Sequence, residues 1–340
     1  MTTERWRVLV ADDSEVCRAL LREAIEAEGD LSVVGEASDG RAALEAVARL
    51  APDLVTMDVR MPGMDGLATI GHLMARHPCP VLVVTGLPAG PADTLTFDAI
   101  RRGALDVVAK PAAGDVRAAR ELRRKIRRLA GVPVVRHLSP MPAPALRPVE
   151  RHIRVVGLAA SAGGPVALGT VLAALPARLP FPLAVVQHLP EGFTSSFARF
   201  LQGRTALEVR IAREPCGLDP STIILAPDGA HLVARGDRLA PSSAPPVHGL
   251  RPSADLLFAS LADVHRAHAA GFVLSGMGRD GAEGLLAMRR AGAATFAQDE
   301  STSVVFGMPR AAADAGAAER VIPLDAVAPA LVALAGGQVR

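Results

Sequence analysis

The order of apolar and polar residues divides the chain into two regions of alternating pattern. From residue 5 to about residue 128, five short apolar runs alternate with segments whose apolar residues recur at helical spacing. The runs predict strands at residues 6–11, 31–37, 53–57, 80–85 and 104–109. Helices are predicted between them, including residues 16–27, 41–50 and about 115–129. Five such βα units indicate a parallel sheet with helices on both faces.

A second alternating region runs from residue 153 to about residue 335. Its apolar runs predict strands at residues 155–159, 183–187, 209–212, 222–226, 272–275 and 294–297. Residues 222–239 differ, because their apolar runs are short and are interrupted by turn sequences at 227–229 and 235–237. We therefore predict a β-hairpin in that segment and a mostly parallel α/β sheet in the rest of the region.

The segment between the two regions has no periodic pattern. Residues 131–148 contain five prolines, which favours an extended, semi-rigid linker. A length of 340 residues also favours two domains over one. We therefore predict domains at residues 5–125 and 153–338, joined by a proline-rich linker at residues 126–152.

Composition and charge narrow the classes of function. The hydrophobic fraction of 50% is enough for two cores, and the net charge of +2 gives no sign of a polyanion partner. The basic run at residues 117–128 is interpreted as a solvated helix face, and the absence of tyrosine argues against a stacking surface for nucleic acid. No apolar run is long enough to span a bilayer, no signal-peptide pattern is present, and the three cysteines form no C-x-x-C pair. We expect a cytoplasmic protein with reduced thiols, no membrane insertion and no nucleic-acid partner.

Five polar residues follow or end successive strands of the first region. Asp12 and Asp13 follow the first strand, Asp58 follows the third, Thr85 ends the fourth, and Lys110 follows the fifth. Taken singly, each is more often a solvated surface residue, but the carboxyl ends of parallel strands meet at one edge of a sheet, so the five together are a more specific signal. Three carboxylates gathered there repel one another unless a cation such as Mg²⁺ lies among them. A metal-neutralised Asp58 can attack a phosphoryl group, with Lys110 and Thr85 as partners of the phosphate oxygens.

With these residues in place, residues 5–125 resemble a response-regulator receiver domain, which has a flavodoxin-like fold. The resemblance implies that Asp58 accepts the phosphoryl group and that Asp12, Asp13 and Asp58 bind Mg²⁺. It further implies that Thr85 is the switch hydroxyl and that Lys110 contacts the phosphate.

In the second region, the first apolar run ends in small residues around Ser161. Gly-Gly-Pro follows at 163–165, before a helical pattern, so the hydroxyl is expected at a tight strand-to-helix turn beside free N–H groups. Such a turn suits a nucleophile whose oxyanion needs hydrogen-bond donors. The G-x-S-x-G motif fails because Ala159 stands two residues before Ser161, and a serine at such a turn, taken alone, is more often part of an ordinary βα loop.

Two further residues change the interpretation of Ser161. His188 follows the strand at 183–187, and Asp280 follows the strand at 272–275. Singly, His188 is more often a structural histidine, and Asp280 is equally an N-cap for a helix at 282–290. Together the three residues supply the hydroxyl, base and carboxylate of a catalytic triad. The order Ser, His, Asp differs from the Ser, Asp, His order of α/β-hydrolases, so we expect a different fold.

The whole pattern resembles the CheB family of chemotaxis methylesterases. The most specific motifs are S-A-G-G at Ser161, Q-H-L-P at His188, S-G-M-G-R-D-G at 275–281 and A-Q-D-E-S-T-S-V-V-F-G-M-P-R at 297–310. The family more often has G-A-S-T-G-G at the nucleophile, so Ala162 replaces a hydroxyl beside Ser161. The resemblance also implies that the Met277 backbone N–H lies near the oxyanion.

The resemblance implies a protein-glutamate methylesterase that also deamidates receptor glutamines through the same acyl-enzyme. Its substrates would be methyl-accepting chemotaxis receptors, and a chemotaxis histidine kinase would be the phosphodonor. Phosphorylation of Asp58 would relieve a blockage by the first domain, and the esterase reaction itself would need no cofactor. Two alternatives stay open: a paralogue that acts on another sensory protein, and a phospho-regulated binding protein with an inactive esterase centre. A DNA-binding output domain is disfavoured, because the second region is too long and lacks a helix-turn-helix pattern.

Overall fold

The computed structural model describes residues 5–86, 95–132 and 152–336. The chain divides into two compact units, with the boundary after Leu138. The predicted linker begins within a helix that continues to Leu129, and most of it, residues 133–151, lies outside the described residues. Within the described ranges, no helix combines the length and apolar character needed to cross a membrane.

The first unit contains a five-stranded parallel sheet in the order β2-β1-β3-β4-β5. Its strands are β1 (Trp6–Ala11), β2 (Leu31–Ala37), β3 (Leu54–Met57), β4 (Val81–Thr85) and β5 (Asp106–Ala109). Its helices are α1 (Glu15–Glu26), α2 (Gly40–Leu50), α3 (Gly66–Arg76), α4 (Leu95–Arg101) and α5 (Val116–Leu129). The prediction of a parallel five-stranded sheet is confirmed.

Polar side chains fix where four of these helices begin. Ser14, Asp39, Asp65 and Asp115 each accept a hydrogen bond from the backbone N–H three residues later, at 2.7 to 3.3 Å. Such N-caps satisfy a donor that the helix itself leaves unpaired. These caps therefore fix the first turn of each helix on the side of the sheet where the strands end.

The prediction that the basic run of α5 is a solvated face is wrong for two of its residues. Arg123 and Lys125 are buried, because they form ion pairs with Glu28 at 2.9 Å and with Asp106 at 2.8 Å. Burial raises the pKa of Asp106, although the charge and hydrogen bond of Lys125 oppose that shift. Part of the positive charge of α5 is therefore paired with acidic side chains of the same unit.

The second unit contains a seven-stranded parallel sheet in the order β15-β14-β13-β6-β7-β10-β8 and a three-stranded antiparallel sheet in the order β11-β12-β9. The strands of the parallel sheet are β6 (Val155–Ala160), β7 (Leu183–Gln187), β8 (Glu208–Ile211), β10 (Thr222–Leu225), β13 (Ala269–Val273), β14 (Ala294–Gln298) and β15 (Arg320–Ile322). The antiparallel sheet consists of β9 (Cys216–Gly217), β11 (His231–Arg235) and β12 (Arg238–Ser242). The helices of this unit are α6 (Gly164–Ala173), α7 (Thr194–Gln202), α8 (Ala254–His265), α9 (Ala282–Arg290), α10 (Met308–Asp314) and α11 (Leu324–Ala335).

The predicted β-hairpin is present, but it begins at His231 and not at residue 222. β10 pairs in parallel with β7 and β8, so it belongs to the large sheet. The hairpin is formed by β11 and β12, which turn at Gly236, where the φ angle is 57°. The second of the two turn sequences therefore makes the hairpin, because only that turn joins adjacent antiparallel strands.

Two glycines bring helices close to the centre of the large sheet. Gly157 of β6 and Gly271 of β13 are paired in register. A Cβ at Gly157 would lie 2.8 Å from the ring of Phe258 in α8, and one at Gly271 would lie 2.7 Å from Leu285 in α9. The absence of side chains at these positions therefore lets α8 and α9 pack directly on the strands that carry the candidate site.

Candidate functional site

The structure places Ser161, His188 and Asp280 at one edge of the large sheet. β6 lies between β13 and β7, so the segments that follow these three strands are neighbours. Backbone hydrogen bonds join the segments: the His188 N–H donates to Ala160 O at 3.1 Å, and the Ser161 N–H donates to Ser275 O at 3.0 Å. The predicted convergence at the strand ends is therefore present in the fold.

The turn that carries Ser161 depends on the two glycines after it. Gly163 has a φ angle of 74°, in the left-handed region that favours glycine, and a Cβ there would lie 2.5 Å from the Val304 side chain. A Cβ at Gly164 would lie 2.0 Å from the amide oxygen of Gln187. The Gln187 amide in turn donates to Ser161 O at 2.8 Å, which fixes the backbone at the hydroxyl.

His188 and Asp280 form a close pair. The His188 Nε2–H donates to Asp280 Oδ2 at 2.9 Å, and the His188 side chain is 13% exposed whereas that of Asp280 is 1% exposed. The bond to Asp280 leaves Nδ1 as the ring nitrogen for a second partner. Within the ranges that the structure describes, the Ser161 hydroxyl has no hydrogen bond, so the structure joins two members of the predicted triad and places the third beside them.

Asp280 is held by the start of α8. Its Oδ1 accepts hydrogen bonds from the Ser253 hydroxyl at 2.7 Å and the Asp255 N–H at 3.1 Å, and its Oδ2 accepts one from the Ala254 N–H at 2.7 Å. Burial alone would raise the pKa of Asp280, but the hydrogen bond and charge of His188, together with the N–H groups of Ala254 and Asp255, outweigh burial and lower that pKa to about 2. The alternative role as N-cap of α9 is not observed, because Gly281 occupies that position without a side-chain bond.

Met277 lies in a backbone segment that packs against Ser161. A Cβ at Gly276 would lie 3.0 Å from the Ser161 Cβ, so only glycine allows this approach. Gly276 O accepts hydrogen bonds from the N–H groups of Gly307 and Met308 at 3.1 and 2.8 Å, which hold the segment in place. Among the described residues, the Met277 N–H has no hydrogen-bond partner, so it is free to bind an oxyanion.

Two polar residues that support this segment were not assigned a role from the sequence. Ser275 donates from its hydroxyl to Ala162 O at 2.8 Å, and its N–H donates to the amide oxygen of Gln298 at 2.7 Å. The motifs at 275–281 and 297–310 contain both residues, but spacing alone does not show that one supports the other. The structure thus explains both motifs as parts of one hydrogen-bonded frame around Ser161.

A second polar site lies at the corresponding edge of the first unit. Lys110 Nζ contacts Asp58 Oδ2 at 2.5 Å and Asp12 Oδ2 at 2.7 Å, while the Lys110 N–H donates to Thr85 O at 2.9 Å. Asp12, Asp58 and Thr85 are buried, and Asp13 is exposed at the rim. All five residues predicted for this edge are therefore close together.

The carboxylates of this edge fit a divalent cation. Asp12, Asp13 and Asp58 each offer an oxygen within 4.8 Å of the other two, which suits a hard cation with oxygen ligands. Burial raises the pKa of Asp12, and the hydrogen bonds and charge of Lys110 oppose that shift only in part. The pKa of Lys110 is raised, because its bonds to Asp12 and Asp58 outweigh the effect of its own burial. A bound cation would supply further positive charge to the same carboxylates.

Comparison with known proteins gives matches to both units. A family model described as CheB methylesterase matches residues 156–331, and one described as response regulator receiver domain matches residues 8–121. A protein named protein-glutamate methylesterase/protein-glutamine glutaminase 2 from Anaeromyxobacter dehalogenans is 45% identical over 336 residues, 96% of each chain. A protein of the same name from Pseudomonas aeruginosa is 41% identical, over 96% of this chain and 95% of its own. The Thermotoga maritima CheB methylesterase catalytic domain aligns with a TM-score of 0.52 at 31% identity, over 54% of this chain and 98% of that domain.

Proposed function

Because this chain belongs to the CheB methylesterase family, we propose that it hydrolyses γ-glutamyl methyl esters on methyl-accepting chemotaxis receptors and deamidates receptor glutamines. The observation that carries the proposal is the His188–Asp280 pair beside the Ser161 turn. An ester and a primary amide of the same side chain differ only in the leaving group, so one acyl-enzyme serves both reactions. An inactive binding protein is disfavoured, because it has no need of a buried carboxylate held against a histidine.

In the reaction, the Ser161 hydroxyl attacks the side-chain carbonyl carbon of the substrate. His188 Nδ1 takes the hydroxyl proton, while Asp280 stabilises the imidazolium through Nε2. The Met277 N–H donates to the oxyanion of the tetrahedral intermediate. His188 then gives its proton to the leaving group, which departs as methanol from an ester or ammonia from an amide. Water, deprotonated by His188, attacks the acyl-enzyme and releases the glutamate carboxylate and Ser161.

The serine mechanism is tested by methanol release from methylated receptor membranes. Replacing Ser161 by Ala removes the attacking oxygen but leaves the His188–Asp280 pair, and we expect the rate to fall at least about 1000-fold. The rate is measured for wild type and for the variant, and circular dichroism checks that both are folded. Equal methanol release by the two proteins would exclude Ser161 as the nucleophile.

We further propose that a histidine kinase phosphorylates Asp58 and that this raises the esterase rate. Mg²⁺ bound by Asp12, Asp13 and Asp58 would neutralise the carboxylates and orient the phosphoryl group, Lys110 would pair with the added phosphate, and the Thr85 hydroxyl would donate to it. The esterase reaction draws only on the protein's own groups, so metal is expected to matter for regulation alone.

The switch is tested with a small-molecule phosphodonor. In the presence of Mg²⁺ the phosphodonor should raise methanol release by the wild type, whereas Asp58→Asn should keep its basal rate and show no increase. EDTA should abolish the increase in the wild type without lowering its basal rate. An Asp58→Asn protein that responds like the wild type would show that another residue receives the phosphoryl group.

A further inference from the structure

Asp280 is surrounded by donors that come almost entirely from one helix start. Three of its four hydrogen bonds come from the Ser253 hydroxyl and from the N–H groups of Ala254 and Asp255, and the fourth comes from His188. The twelve-residue helix α8 adds the positive end of its dipole at the same place. The position of the Asp280 carboxylate, and hence of the His188 ring, is therefore set by where α8 begins.

Ser253 joins the carboxylate to that helix start. Its hydroxyl donates to Asp280 Oδ1 at 2.7 Å and, as the N-cap of α8, accepts from the Leu256 N–H at 3.5 Å. The residue is fully buried, so no water competes for the hydroxyl. A serine at this point thus has two functions, capping the helix and orienting the carboxylate.

His231 fixes the backbone of Ser253 from a different element. The Ser253 N–H donates to His231 Nδ1 at 3.1 Å, so that nitrogen carries no proton. The ring proton is therefore on Nε2, which donates to Pro245 O at 3.2 Å. His231 lies in β11 of the small antiparallel sheet and is 0% exposed, so a buried imidazole with both nitrogens bonded links the hairpin to the helix start.

We propose that Ser253 and His231 are positioning residues for the triad, which hold the start of α8 in register with the Asp280 carboxylate. Neither touches the substrate, so their effect is on the turnover rate rather than on substrate binding. The inference rests on the proposed function for the roles of Ser161, His188 and Asp280. It assigns to the β11–β12 hairpin a part in the esterase reaction, through a single chain of hydrogen bonds from Pro245 O to His188.

A matched pair of substitutions at His231 separates this role from simple core packing. In His231→Asn the side-chain oxygen lies near the position of Nδ1 and can still accept the Ser253 N–H. In His231→Gln the amide group reaches the position of Nε2 and keeps only the bond to Pro245. Both variants bury an amide in place of the ring, so a general loss of packing affects them similarly.

We expect His231→Gln to lower kcat about 10-fold or more with KM changed less than about 2-fold, while His231→Asn stays within about 3-fold of wild-type kcat. A second readout is the proton NMR signal of the His188–Asp280 hydrogen bond, assigned by its loss in Asp280→Asn. That signal should persist in His231→Asn and shift or disappear in His231→Gln. Equal kcat values for the two variants, or wild-type kcat in His231→Gln, would overturn the proposal.

A second pair covers the case in which His231→Gln does not fold. Ser253→Ala removes the hydroxyl that bonds Asp280 but keeps the backbone N–H for His231, and Ser253→Thr restores a hydroxyl. We expect kcat to fall about 10-fold in Ser253→Ala and to recover in Ser253→Thr, and unchanged kcat in Ser253→Ala would overturn the proposal. Wild type and Ser161→Ala are run in the same assay. If the wild type released no methanol, the proposed function would fail, while the NMR comparison would still decide whether these residues position Asp280.

Discussion

The carboxylates of Asp280 and Asp255 both lie at the start of α8, yet their pKa values move in opposite directions. Hydrogen bonds from His188 and from the helix start overcome burial and lower the pKa of Asp280 to about 2. Burial and the neighbouring charge of Asp280 raise the pKa of Asp255 to about 6, because the hydrogen bond from the Gly284 N–H at 2.8 Å compensates only in part. At neutral pH, therefore, ionisation of Asp280 stabilises the fold and ionisation of Asp255 opposes it.

Asp280→Asn should lower the free energy of unfolding at neutral pH by about 2 kcal/mol. The folded-state pKa of about 2 lies below the ordinary value of 3.8, so the stabilisation is complete above about pH 4 and is lost as the pH falls towards 2. Chemical denaturation of wild type and variant at about pH 7 and about pH 2.5 measures the difference, which should be smaller at the lower pH. A difference independent of pH would contradict the assigned cause.

Asp255→Asn is the matched control with the opposite sign. The folded-state pKa of about 6 lies above 3.8, so ionisation of Asp255 lowers stability as the pH rises from about 4 to 6, and the loss is constant above about pH 6. Asn keeps an oxygen for the Gly284 N–H and carries no charge. We expect the variant to gain up to about 3 kcal/mol in the free energy of unfolding at about pH 8 and nothing below about pH 4. A loss of stability at about pH 8 would show that the charge of Asp255 is favourable.

At the scale of helices and strands, the sequence predicts most of the buried strands, because strands covered on both faces are continuous apolar runs. The buried strand β13 is an exception, since it was predicted at 272–275 and spans Ala269–Val273. The runs at 183–187 and 294–297 match β7 and β14 to within a residue. The edge strand β15 was not predicted, since two of its three residues are exposed and it therefore lacks an apolar run. The sequence also could not predict that the start of α8 holds Asp280, because that contact joins residues more than 20 positions apart.

Gly157→Ala tests whether the close packing of α8 on β6 supports the site. The added Cβ would lie 2.8 Å from the Phe258 ring and 2.9 Å from the Leu261 side chain, so these side chains, or α8 with them, must shift away from β6. We expect the free energy of unfolding to fall by about 1 to 3 kcal/mol and kcat to fall with it, since the start of α8 holds Asp280. Gly229→Ala is the control, because a Cβ there meets no atom within 4 Å, although its φ angle of 67° adds some backbone strain. If Gly157→Ala lost stability but kept its kcat, the packing of α8 on β6 would not be needed to hold Asp280 in position.

At the scale of the whole molecule, the family and the two α/β sheets follow from local sequence, but the arrangement of the strands does not. The sequence places Ser161, His188 and Asp280 at strand ends. These ends lie side by side only because β13, β6 and β7 are neighbours in the sheet. That adjacency is set by pairing between β6 and a strand more than 100 residues later. The resemblance to the CheB family predicted that these three residues form one site, which local patterns alone could not predict. The match of both family models confirms that resemblance.

The two compact units make separate contributions to the proposed function, and this can be tested by expressing residues 153–338 alone. A solved catalytic domain from Thermotoga maritima, 98% of which aligns with this chain, supports independent folding of the corresponding part. The isolated part retains Ser161, His188 and Asp280, so it should release methanol, but it lacks Asp58 and should give the same rate with and without phosphodonor and Mg²⁺. If the first unit blocks the second, the basal esterase rate of residues 153–338 should also exceed that of the unphosphorylated full chain. A phosphodonor response in residues 153–338 would show that regulation does not depend on Asp58, whereas an inactive but folded fragment would show that the first unit is needed for catalysis itself.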